Sequence, residues 1–117
     1  MIVVFEAPIK VVNELNAHDH WRARARRARM QHMVMRAFLA THAARLDAAG
    51  KTLVVTMTRL SPRSYDSDGT VACFKHARDS IAQFLGRDDG PKSGITWECK
   101  WERSKVVGIR VEIQEAP

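Results

Sequence analysis

Apolar residues in this chain come in short runs separated by polar turns, and the period of each run says what it forms. Ile2 to Glu6 is β-branched and aromatic and stops before Pro8, which predicts a first strand. Turn formers and polar groups fill Ile9 to His20, a loop with room for a helical turn. From Trp21 to about Asp47 there is neither Gly nor Pro, and Ala, Arg, Met and Leu dominate. That predicts a long helix stopped by Gly50. Trp21, Ala25, Ala28, Met35, Leu39 and Leu46 share one stripe of it, read as core, with His32 as a satisfied histidine at the core edge.

Thr52 to Leu60 is the clearest strand. Val54, Thr56, Thr58 and Leu60 fall on one face, Leu53, Val55, Met57 and Arg59 on the other, and Pro62 ends it. A second helix is predicted from about Asp68 to Leu85, with Asp66 or Asp68 as N-cap and Gly86 as the stop. Its core face is Phe74, Ala77, Ile81, Phe84 and Leu85. After a turn-rich stretch from Asp88 to Gly94 come two more strands, Ile95 to Trp101 and Val106 to Gln114. The polar turn around Arg103-Ser104 makes them an expected antiparallel hairpin. The order β-α-β-α-β-β over 1–117 predicts one mixed α+β domain, a small β-sheet with two main helices packed on one side.

Charge changes this picture more than size does. Lys plus Arg number 19 against 13 Asp plus Glu, so the net charge is +6 and an anionic partner is favoured. Arg22, Arg26, Arg29 and Arg36 form a second stripe on the first helix, widened by Arg24 and Arg27. No acidic residue lies between Trp21 and Arg45 to pair with them. Aligned guanidinium groups of this kind can track a phosphate backbone. Cys73 and Cys99 have no CxxC spacing and read as reduced, partly buried thiols. No apolar run reaches the roughly 18 residues of a membrane span. Met1 to Glu6 lacks a basic leader, so the expectation is a protein that works in the cytoplasm.

Against this basic background four carboxylates stand close in sequence: Asp66 and Asp68 flank Ser67, and Asp88-Asp89 follows about twenty residues later. Neighbouring carboxylates repel unless a cation neutralises them, which points to a divalent metal. Mg²⁺, or Mn²⁺ in its place, takes hard oxygen ligands and can activate water and offset charge at a phosphodiester. Lys75, seven residues after Asp68, projects on the same side of a continuous helix and could hold a phosphate oxygen. One difficulty is length: an 18-residue helix spans about 27 Å, which separates Asp88 from Asp66 and Asp68. The helix is shorter or bent, or the following loop returns along it, or a second subunit supplies the partner carboxylate. His18-Asp19-His20 is a competing imidazole site, read more readily as a loop in contact with DNA or solvent. No Ser-His-Asp or Cys-His arrangement and no glycine-rich phosphate loop is present.

Taken in order, these motifs resemble the RusA-like endodeoxyribonucleases, Holliday junction resolvases common in phages and prophages. The resemblance runs through Ser61-Pro62-Arg63, Asp66-Ser67-Asp68-Gly69, Lys75, Arg78-Asp79-Ser80-Ile81, Leu85-Gly86-Arg87-Asp88-Asp89-Gly90, Ile95-Thr96-Trp97 and Val111-Glu112-Ile113. Leu15-Asn16 and His20-Trp21-Arg22 extend it toward the phage branch. It implies a homodimer that binds four-way junctions and nicks paired strands symmetrically with Mg²⁺, in a bacterial host cell. The family's metal-binding aspartates fall on Asp66, Asp68 and Asp89, with Asp88 adjacent, and its catalytic lysine on Lys75; Arg22, Arg26, Arg29, Arg36 and Arg63 are the expected DNA contacts. Many relatives have Asn where this chain has Gly69, a weaker helix cap that leaves the carboxylates less rigid. The alternative is a non-catalytic basic DNA-binding protein, a degenerate relative.

Overall fold

The strand with the most continuous apolar character takes the middle of the sheet. The computed structural model describes residues 2–13, 20–46, 48–64, 67–88, 90 and 92–117, with backbone alone at 67 and 68. Its strands are β1 (Ile2–Ala7), β2 (Leu53–Ser61), β3 (Ile95–Arg103) and β4 (Gly108–Glu115), and its helices α1 (Trp21–Thr41), α2 (Ser67–Ala72) and α3 (Lys75–Phe84). A 3₁₀ turn, Ala43–Arg45, follows α1. The mixed α+β class read from the sequence is correct. The element order departs from expectation, because the second helix is two.

The sheet runs β1-β4-β2-β3, with β4 antiparallel to both neighbours and β3 parallel to β2. The expected β3–β4 hairpin is therefore wrong: β2 lies between them. A four-residue connection, 104–107, crosses the end of β2, where Ser104 N–H donates to Ser61 O at 3.0 Å. Two strand spacings are only about 10 Å, within reach of that loop. Burial decides the order. Val55, Thr56, Met57 and Thr58 of β2 are buried on both faces, whereas β3 alternates exposed with half-buried residues and suits an edge.

One face of the sheet makes the core. Val3 and Phe5 of β1, Leu53, Val55 and Met57 of β2, and Ile109, Val111 and Ile113 of β4 meet Met35 and Leu39 of α1 and Phe74, Ala77 and Ile81 of α3. The face assignments for β2 and for the second helix hold. On the open face Arg110 donates to Glu6 at 3.0 Å and to Glu102 at 2.9 Å, which ties β1, β4 and the β3 edge across the sheet.

Two corrections concern helices. α1 ends at Thr41 rather than near Asp47, and its core stripe begins late: Gln31, Met35 and Leu39 are its buried residues. Trp21, expected in the core, is 66% exposed, and Ala25 is exposed as well. A 21-residue helix is about 31 Å long, and its first ten residues contain no buried one. The second helix breaks at Cys73-Phe74. Phe74 leaves helical geometry (φ −96°, ψ 6°) and is buried, so the break turns its ring into the core. Beyond it, α3 ends in a Schellman arrangement: Gly86 at φ +70°, its N–H on Gln83 O and Arg87 N–H on Ala82 O. Among the described residues no helix is long and apolar enough to cross a membrane.

Candidate metal and nucleic-acid site

α2 begins at Ser67, six residues after β2 ends, so the chain passes directly from the central strand into the segment that carries the carboxylate pair. Asp66 and Asp89 lie outside the described residues, as do His18 and Asp19 of the competing site. The backbone of Asp68 occupies the first turn of α2 as its second residue. That position is inside the helix, so Asp68 is not its N-cap. Gly69 is likewise internal and buried, its carbonyl accepting Cys73 N–H at 3.1 Å. The capping role considered for Gly69 therefore does not arise.

Lys75 is the first residue of α3 and is exposed. The phase argument that set it beside Asp68 assumed one continuous helix, and it does not carry across the break at Phe74. Lys75 instead shares a hollow of about 230 Å³ with Val71, Arg78, Asp79 and Cys99. Asp79, one helical turn on, also lines a larger cleft of about 410 Å³ with His32, Gln83, Arg87 and Asp88. Of the routes left open by the sequence, the shorter helix is the one seen: α3 spans Lys75–Phe84, and the loop after it lies near the starts of β2 and β3. Asp88, four residues after α3 ends, lines the same cleft as Asp79.

Several bonds hold that loop. Arg87 donates to Ala48 O at 2.5 Å and to Ser93 O at 3.2 Å, which ties the loop to the turn that precedes β2 and to the approach to β3. Asp88 is exposed; its Oδ1 accepts Gly90 N–H at 2.9 Å, closing a tight turn and leaving its other oxygen for a ligand. Across the cleft, His32 Nδ1 is 2.5 Å from Ser80 Oγ, which also donates to His76 O at 2.9 Å. A hydroxyl has one proton; if His76 O receives it, His32 donates through Nδ1–H and keeps Nε2 as an acceptor. His32 is the bonded core-edge residue expected. That Asp79 and His32 would line one cleft with Asp88 is not readable in the sequence. Lys75 and Asp79 are four apart on one helix, which the sequence does show.

Among the described residues no group of three His, Cys, Asp or Glu is arranged to hold a metal ion. The expected ligand set rests chiefly on Asp66, Asp89 and the Asp68 side chain, none of them among the described side chains. Cys73 and Cys99 are free thiols, and burial pushes Cys73 up to about 12 and raises Cys99. Burial thus disfavours the thiolate form of both.

Arg22, Arg26, Arg29 and Arg36 are all exposed on α1. His20 caps the helix, Nδ1 accepting Arg22 N–H at 3.1 Å, and the Arg22 guanidinium lies 5.5 Å from the centre of the exposed Trp21 ring. Arg29 and Arg36 flank His32 and face Gln83 of α3 in an open groove of about 650 Å³. Arg63 is exposed beyond β2, its carbonyl accepting Arg59 Nη1–H and Ser61 O–H at 2.5 and 2.7 Å. Comparison with models of known families, with curated proteins and with solved structures gives no match to this chain.

Proposed function

We propose that this chain is a divalent-metal-dependent endonuclease for branched DNA, which resolves four-way junctions by paired nicks as a homodimer of RusA-like type. The observation that carries the reading is a cleft lined by both Asp79 and Asp88, with Asp79 one turn from the exposed Lys75. That cleft shares His32 and Gln83 with the groove lined by Arg29 and Arg36 of α1. Binding alone gives no reason to set carboxylates beside a phosphate path.

In this reading Asp66, Asp68 and Asp89 hold Mg²⁺ or Mn²⁺, with the open oxygen of Asp88 as an adjacent contributor. When bound, the ion supplies a hard Lewis acid for the scissile phosphodiester. Lys75 places an ammonium group where charge develops on a phosphate oxygen. Arg22, Arg26, Arg29 and Arg36 hold neighbouring phosphates and carry no base specificity. Replacement of Asp68 by Asn keeps the side-chain shape and removes the charge. Asp68→Asn is expected to abolish junction cleavage and keep junction binding, measured by nicking and by mobility shift on the same substrate. Cleavage at the wild-type rate would remove Asp68 from the mechanism.

A further inference from the structure

The end of β2 opens into a pocket of about 280 Å³ lined by Lys10 after β1, by Arg59 on β2 and by Arg63 beyond it. Val11, Leu60 and Val107 supply apolar wall, and none of the described lining residues is acidic. The walls are fixed rather than loose. Arg59 and Ser61 both donate to the carbonyl of Arg63, and Trp101 Nε1–H donates to Ser61 Oγ at 3.0 Å. On the other side, a Cβ at Gly108 would lie 2.8 Å from Ala7 O, so the start of β4 and the end of β1 are in direct contact beside the pocket.

Lys10 and Arg63, both exposed at the rim, offer positive charge to an anion seated there. Guanidinium and ammonium groups together match phosphate oxygens. The apolar wall suits the carbon face of a sugar better than it suits a bare ion. Arg63 is three residues before Asp66, at most about 11 Å of chain. We propose that this pocket seats one phosphate, with its sugar against Val107, of the DNA strand led to the carboxylate segment. The identity of the ligand rests on the nuclease reading; the anion site itself does not.

The test compares wild type with Lys10→Gln/Arg63→Gln, both in EDTA so that cleavage plays no part. Lys10 and Arg63 are exposed, so the double variant should fold, and its melting temperature without phosphate reports that directly. Inorganic phosphate should raise the wild-type melting temperature and leave that of the variant unmoved. The variant should also bind a short single-stranded oligonucleotide about tenfold more weakly. Its log–log salt slope should be shallower by about two, one for each cation lost. An equal phosphate-induced rise in both proteins, or no rise in the wild type, would overturn the pocket. Failure here beside intact metal-dependent cleavage sinks the pocket alone. A phosphate effect without any cleavage sinks the nuclease reading alone.

Discussion

Lys75 and Asp79 stand one turn apart on α3, and Asp88 lines the same cleft as Asp79. Lys75→Ala should lower the single-turnover cleavage rate by roughly 10²–10³, as loss of one charge-stabilising group does. Junction affinity should fall far less; a rate unchanged within twofold would strike Lys75 from the chemistry. Cys73 offers a separate test. Burial raises its thiol from 9.0 to about 12, so the folded state holds that proton more tightly than the unfolded one. Its contribution to stability is complete below pH 9 and is lost as pH rises from 9 toward 12. Denaturant midpoints should drop across that window at up to about 1.4 kcal/mol per pH unit, and more gently in Cys73→Ala. Identical slopes would show that Cys73 does not titrate there. The carboxylate pattern was legible in the sequence because side-chain type and spacing are written there. The cleft that Asp88 lines with Asp79 and His32 was not, because it depends on a loop held by Arg87 bonds to Ala48 and Ser93.

At the scale of elements, strand positions and faces were readable because a period of two follows from backbone geometry. Pairing was not. A four-residue connection fits a hairpin as well as a step across one strand, and burial of β2 on both faces selects the step. The break between α2 and α3 was also hidden, since Cys73 and Phe74 are ordinary helix residues by propensity; the need to bury Phe74 decides it. The end of α3 was legible in Gly86, whose φ of +70° is open to Gly and strained for other residues. Gly86→Ala should destabilise the fold by roughly 1–2 kcal/mol, and Gly86→Asn by less. No atom lies within 4 Å of an added Cβ, so the effect is conformational. Equal melting temperatures for wild type and Gly86→Ala would contradict that end geometry.

Across the whole molecule, the first ten residues of α1 include no buried one and carry five arginines, and α3 carries Lys75 and Asp79. The net charge of +6 is thus concentrated where a duplex arm could lie along α1. Arg29→Gln/Arg36→Gln should weaken binding to linear duplex and junction alike, and make the log–log salt slope shallower by about two. Weakening confined to the junction would mean that these arginines read branch structure rather than track phosphates. The central claim is metal-dependent cleavage of branched DNA. Its most direct test incubates the purified chain with a synthetic four-way junction and a matched linear duplex, each with Mg²⁺ and with EDTA. The account predicts symmetric nicks in the junction with Mg²⁺ only, and an intact duplex throughout. A junction that is bound but never cut, with or without Mg²⁺, would contradict it and leave a basic DNA-binding protein.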